Sequence, residues 1–307
     1  MRHLLTLNDL TADEIEEILA LASQLKQEYE KGDRPPVLSG RVLGLLFSKP
    51  SLRTRVSFEA GMNHLGGTSL YLGQDVGWGT RETIADFARV ISQYVDIIVC
   101  RTHAHESIED LAKYSECPII NGLTDLAHPC QALADIMTLR ELRGKNEQAK
   151  ITFIGDANNV SRSLALACSK LGISFSIAAP NQYQFNDGLL DELQQDNPRI
   201  EISQTDEPSV ALANASAVYT DVWSSMGFES EQEARQKDFA DYQVNSKMMS
   251  LAPSDAVFMH CLPAHRGEEV TNDVIDGPQS VIVKQAANRM HLQKGLLLWL
   301  VRKAEAA

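Results

Sequence analysis

Apolar residues recur along the chain in two alternating rhythms. Short unbroken apolar runs, bounded by polar turn residues, alternate with longer stretches whose apolar positions return every three or four residues. The first long stretch opens with Thr11 and Glu14 spaced as a capping box. It carries Ile15, Ile18, Leu19, Ala22 and Leu25 on one face and stops near Gly32. A polar, proline-bearing connection over residues 34–40 leads to a buried strand at 42–47 and a helix over about 53–65. Further strands are expected at 69–72, 97–100 and 119–120, with helices between them, and a helix from Pro129 to Leu142 ends at Gly144. A second series places strands at 151–154, 174–178, 200–203, 217–220, 257–261 and 280–283. A helix from about Asn288 to Lys303 closes the chain.

This repeated strand–helix order is the pattern of α/β folds with mostly parallel sheets. A chain of 307 residues exceeds what one core usually serves, so two doubly wound parallel-sheet domains are expected. The charged stretch 145–150 is the expected junction, giving domains over 1–144 and 145–287.

Composition narrows the function classes. The net charge of −13 argues against a nucleic-acid partner, which needs a basic face, while leaving room for a local basic pocket. No apolar run reaches the length of a membrane span, and nothing near Met1 reads as a signal peptide. Five cysteines, odd in number and with no C-x-x-C pair, fit a reducing compartment, so a soluble cytoplasmic protein is expected.

In open parallel sheets, ligands gather beyond the carboxyl ends of strands. Nearly every unusual polar cluster in the chain falls there. Ser51-Leu52-Arg53-Thr54-Arg55 opens a helix with two guanidiniums and two hydroxyls, where helix N–H groups already favour an anion; the bland alternative is a capped helix with solvated arginines. His128-Pro129-Cys130-Gln131 sets a proline at a helix start, with His128 as ligand contact or as cap. Asp221, heading Asp-Val-Trp-Ser-Ser-Met-Gly, can bind an ammonium or cap a helix. In His260-Cys261-Leu262-Pro263 the thiol is either a ligand contact or a small buried hydrophobe. No His or Cys set has metal-ligand spacing, so no metal is expected. Gly155-Asp156-Ala157-Asn158-Asn159 sits where a dinucleotide fingerprint would but lacks its glycines, which disfavours a nicotinamide dehydrogenase, the competitor from a different class. P-loop and nucleophile-elbow motifs are also missing.

Together and in this order, with Arg101, Ser225-Met226-Gly227 and Asn288-Arg289, these motifs resemble the aspartate/ornithine carbamoyltransferase family over nearly the whole chain. The resemblance implies transfer of the carbamoyl group of carbamoyl phosphate to the δ-amine of L-ornithine, giving L-citrulline, with no cofactor. Acetylornithine and putrescine are the alternative amines within the family. By resemblance, Ser51, Leu52, Arg53, Thr54, Arg101, His128, Gln131, Cys261, Leu262 and Arg289 match the carbamoyl phosphate site. Asn159, Asp221, Ser225 and Met226 match the ornithine site, and Arg101, His128, Cys261 and Asp221 the catalytic group. It further implies a carbamoyl phosphate domain completed by residues 288–307, which return to it, and an ornithine domain. A homotrimer, or a multiple of trimers, is also implied, in which the loop 73–82 reaches a neighbour's site through Arg81. Three positions depart from the family pattern: Leu52 in place of a threonine, Ala287 before Asn-Arg, and Gly77 where a glutamine is usual.

Overall fold

The computed structural model describes residues 2–145, 148–224 and 231–306. They form two compact units, one of residues 1–134 and 287–307, the other of residues 135–286. By internal packing the chain passes from one to the other inside a helix, at Ala134/Asp135.

The first unit begins with α1 (Ala12–Glu30). Thr11 accepts from the Glu14 N–H, Glu14 caps in return, and Ile15, Ile18, Leu19, Ala22 and Leu25 are buried on one face. Its sheet contains β1 (Val42–Phe47), β2 (Thr68–Leu72), β3 (Ile97–Arg101) and β4 (Ile119–Leu123), all parallel, in the order β2-β1-β3-β4. The inner strands are buried almost throughout, because helices cover both faces; that is why they read as continuous apolar runs. The connecting helices are α2 (Leu52–His64), α3 (Ile84–Ile91) and α4 (His105–Tyr114). The edge strand β2 is mostly exposed.

In the second unit, β5 (Lys150–Ile154), β6 (Ser174–Ala178), β7 (Ile202–Thr205), β8 (Ala217–Thr220) and β9 (Val257–His260) form a parallel sheet ordered β7-β6-β5-β8-β9. Its helices include α6 (Asn159–Leu171), closed by Gly172 at φ +71°, then α7 (Leu189–Asp196), α8 (Pro208–Leu212), α9 (Gln232–Asp238), α10 (Ser246–Met249) and α11 (Asn272–Ile275). The helix α5 (Pro129–Arg143) precedes this series and α12 (Ile282–Glu305) follows it. From Ala287 onward α12 belongs to the first unit. There Lys26 donates to Asn288 at 2.8 Å, Trp299 donates to Glu17 at 2.8 Å, and Gly295 lets α12 lie against Ile18 and Ala22 with no room for a Cβ.

One expected strand is not a strand. Residues 280–283 make a single bridge, Ser280 to Phe258, and the helix α12 starts at Ile282, well before Asn288. The β-branched run Val281-Ile282-Val283 suggested a buried strand, but Val283 is 77% exposed on the first turn of α12. Arg289 therefore sits in the helix interior, carried by a rigid element. No helix among the described residues is long and apolar enough to cross a membrane.

Sheet order fixes where ligands can bind. In the first unit the chain leaves β1 toward one edge and β3 toward the other, so a crevice opens past the ends of β1 and β3. In the second the same switch falls between β5 and β8. The residues at or just beyond those four strand ends are Ser51–Thr54, Arg101, Asp156–Asn159 and Asp221.

Candidate active site

Ser51 caps α2 by accepting from the Thr54 N–H at 3.3 Å, which leaves other first-turn N–H groups of α2 facing outward. No acidic residue lies in that turn. Thr54 is buried, and two guanidiniums converge on its hydroxyl oxygen: Arg289 donates at 2.9 Å and Arg101 at 3.5 Å. An oxygen that accepts from two cations keeps its own hydrogen to donate, and does so more strongly. Arg289 also donates to Gln131 Oε1 at 2.7 Å. Arg101 is aimed by a bulge: the β3–β4 register passes from Cys100↔Asn121 to Arg101↔Leu123, skipping Gly122, where any Cβ would press on Val99 and the Cys100 carbonyl. His128 is buried just before α5. Burial, then the charges of Arg289 and Arg101, holds its pKa well below the usual histidine value, so the ring is neutral and offers one N–H.

Arg53 differs from its neighbours. Half-buried in the first turn of α2, it has no hydrogen-bond or ion-pair partner among the described residues. The Leu52 side chain is 75% exposed, so that position can contribute little beyond its N–H. Arg81 is exposed in the loop after β2, its side chain folded over Gly77. From the same loop Gln74 donates to the Ser48 carbonyl at 2.6 Å and holds the turn after β1, a contact the sequence did not announce.

In the second unit Asp221 leaves the end of β8 and is 8% exposed. It accepts from Asn158 Nδ2 at 3.1 Å and from the Cys261 thiol at 3.1 Å, and no cation pairs with it among the described residues. The asparagine that reaches Asp221 is thus Asn158, the N-cap of α6, while Asn159 begins the helix beside it. The known preference for asparagine at an N-cap is the signal that picks out Asn158. Ser225 and Met226 lie outside the described residues.

Asp156, beyond β5, carries a second carboxylate, its side chain 11% exposed. Burial raises its pKa, the charge and hydrogen bond of Arg235 oppose that, and Asp221 and Glu231 push it up further. Arg235 donates to Asp156 at 2.7 Å, to the Trp223 carbonyl at 3.0 Å and to Glu231 at 3.0 Å, and is 5% exposed. The rest of its helix, Gln232–Asp238, is polar and charged, so nothing in the sequence singles Arg235 out. Arg235→Gln is expected to lower stability by about 3 kcal/mol, because Asp156 is left mostly buried without its cation. Adding Asp156→Asn should restore much of the loss. Urea midpoints of the two variants measure this, and an Arg235→Gln midpoint equal to wild type would refute it.

Two side-chain groups have metal-compatible spacing among the described residues: Asp221, His260 and Cys261, whose ligand atoms lie within 4.8 Å of one another, and His265, Glu268 and Glu269. In the first, both His260 nitrogens are already engaged, Nδ1 by the Leu262 N–H at 2.8 Å and Nε2 by Glu269 at 3.1 Å. In the second, Glu269 Oε1 already accepts from the His265 N–H at 2.6 Å. A metal would have to displace these bonds.

Residues 2–141 match the family model described as the carbamoyl-P binding domain of aspartate/ornithine carbamoyltransferase, and residues 147–300 match its Asp/Orn binding domain. The chain is 47% identical over 306 residues to an ornithine carbamoyltransferase of Wolinella succinogenes, covering 99% of each. It is 48% identical over 299 residues to an anabolic ornithine carbamoyltransferase of Pyrococcus furiosus, covering 96% of this chain and 95% of that one. Among solved structures, the ornithine carbamoyltransferase of Pyrococcus furiosus superposes with a TM-score of 0.95 at 47% identity, covering 98% of this chain and 97% of that one. The anabolic enzyme of Campylobacter jejuni superposes at 0.93 with 36% identity, covering 99% and 100%.

Proposed function

The chain belongs to the aspartate/ornithine carbamoyltransferase family, and we propose that it transfers the carbamoyl group of carbamoyl phosphate to the δ-amine of L-ornithine, releasing L-citrulline and phosphate. The observation that carries the choice of amine is Asp221, a buried carboxylate with no cation beside it among the described residues. Such a group is expensive to keep unless a ligand's ammonium completes it. Ornithine brings an α-ammonium for it, and Asn159 with Ser225 and Met226 would meet the α-carboxylate.

The first unit is suited to the other substrate. Arg53, Ser51 and the outward N–H groups of α2, including that of Leu52, would hold the phosphate, and Gln131 with Arg289 would orient the carbamoyl group. Attack by the amine nitrogen on the carbonyl carbon places negative charge on the carbonyl oxygen. Donors from Thr54, Arg101 and neutral His128 would stabilise that charge, each worth about 3 kcal/mol in comparable sites. The carbon–oxygen bond to phosphate then breaks, and phosphate leaves toward Arg53. A lysine-like δ-amine, with a free pKa near 10.4, must first lose a proton. Cys261 and Asp221 would orient that amine, and Leu262 would contact both substrates. The residues call for no organic cofactor, and the five free cysteines suit the cytoplasm.

Initial rates with ornithine, putrescine, acetylornithine and aspartate, each with carbamoyl phosphate, test the reading. Ornithine is expected to be preferred by at least about a hundredfold over putrescine, which cannot satisfy Asp221. A better rate with putrescine or acetylornithine would refute the named substrate.

We also read the assembly as a homotrimer or a multiple of trimers, with Arg81 entering a neighbour's site. Its guanidinium is exposed and has no partner among the described residues. Mixing Arg53→Ala chains with Arg81→Ala chains is expected to regain activity that neither variant has alone, since a mixed interface can hold one intact site. A fully active monomer in sedimentation would end this reading.

A further inference from the structure

A buried polar network of the second unit surrounds His260, and no role proposed above uses it. His260, Glu269 and Gln285 are all at most 1% exposed. The His260 N–H donates to Gln285 Oε1 at 2.9 Å, and Gln285 Nε2 in turn donates to Asp135 at 2.7 Å and to the Tyr219 hydroxyl at 3.2 Å. On the ring, Nδ1 lies 2.8 Å from the Leu262 N–H and Nε2 lies 3.1 Å from Glu269 Oε1. The same Glu269 oxygen accepts from the His265 N–H at 2.6 Å. His260 is therefore held at its main chain and at both ring nitrogens.

The Leu262 N–H can only donate, so Nδ1 must be the accepting nitrogen and the ring hydrogen sits on Nε2, aimed at Glu269. Leu262 stands at φ +60°, in the left-handed region that a leucine enters only at a cost. Such a conformation persists when its surroundings over-determine it. Here the bond to His260 does so, two residues back along the chain and directly across Cys261.

We propose that His260 is a positioning residue for carbamoyl transfer: its Nδ1 clasps the Leu262 amide and so fixes the backbone that presents Cys261 and Leu262, while Glu269 and Gln285 fix His260. The proposal rests on the reading that Cys261 and Leu262 meet the substrates. It assigns His260 no proton transfer, because Nδ1 is committed to the backbone and Nε2 to Glu269.

The shapes of two substitutions separate this role from others. In His260→Asn the amide oxygen stands near the former Nδ1 and can still accept from Leu262. In His260→Gln the amide reaches the Nε2 position, keeping Glu269 and losing the clasp. His260→Asn and Glu269→Gln are expected to keep kcat within about tenfold of wild type, and His260→Gln to lose at least about a hundredfold, with KM values changing less than kcat. Unfolding midpoints are read alongside, since a merely structural role would make activity follow stability in all three. In the wild-type protein, ¹⁵N shifts of the histidine ring should show Nε2 protonated and Nδ1 accepting, a measurement that needs no variant to fold. The opposite tautomer, or equal losses in His260→Asn and His260→Gln while Cys261→Ala is strongly impaired, overturns the clasp alone. A wild-type-like Cys261→Ala overturns the reading beneath it as well.

Discussion

Arg53→Ala is expected to reduce kcat/KM for carbamoyl phosphate on the order of a thousandfold while leaving the unfolding midpoint almost unchanged. Both halves follow from one observation: Arg53 has no partner among the described residues. Removing it strips no hydrogen bond or ion pair within the described residues, so stability should move by no more than about 0.5 kcal/mol. It does strip a planar fork from the first turn of α2, where Ser51 has capped one N–H and no acidic side chain stands in the way. Two charge-assisted bonds to phosphate at roughly 1.5–3 kcal/mol each give the thousandfold figure. Arg53→Lys should recover little, since an ammonium on a flexible stem cannot span two phosphate oxygens. Arg289 provides the contrast. It is buried and bonded to Thr54 and Gln131, so Arg289→Ala should lose stability together with activity. Steady-state kinetics with urea unfolding on the three variants make the comparison. An Arg53→Lys enzyme with wild-type constants, or an Arg53→Ala protein as destabilised as Arg289→Ala, would refute the assignment.

Asp221→Asn is expected to erase most of the preference for ornithine over putrescine and, at the same time, to leave the free protein as stable as wild type or more so. In the free protein Asp221 is a buried carboxylate supported by Asn158 and the Cys261 thiol, with the nearby carboxylate of Asp156 contributing repulsion. An amide of the same shape can accept from one of those donors and removes the repulsion. With ornithine bound, the same charge would pair with the α-ammonium, and losing that pair should cost about 2–5 kcal/mol of discrimination. Putrescine, which lacks the α-groups and offers Asp221 only its reacting amine, should lose less than ornithine. The ratio of kcat/KM for the two amines, wild type against variant, is the measurement. An unchanged ratio would show that Asp221 serves something other than the α-ammonium. Higher stability with lost selectivity would mark Asp221 as a group kept for function at the expense of the fold.

The sequence by itself determined much of this. The alternation of apolar runs with three-to-four-residue periodicity set out nearly all the strands and helices, because each element's burial pattern is local: a strand covered on both faces is apolar throughout, and an amphipathic helix carries one stripe. The polar clusters after the strands were legible for the same reason, and they included Arg53, Thr54, Arg101, His128, Asp221 and Cys261. Only the tertiary structure decided which strands are neighbours, and hence that the loops after β1 and β3 flank one crevice in the first unit and those after β5 and β8 flank another in the second. It turned residues 280–283 from an expected strand into the start of α12, since a short β-branched run suits either conformation until packing chooses. It also showed that Asn158 meets Asp221, that Arg235 neutralises Asp156, and that Glu269 and Gln285 hold His260. Most of these pairings join residues far apart in the chain, through side chains whose composition alone resembles a solvated surface. Local periodicity records which face of an element is buried, but the partner that compensates a buried charge is chosen by the fold, where the distances that govern Coulombic and hydrogen-bond energies are first defined.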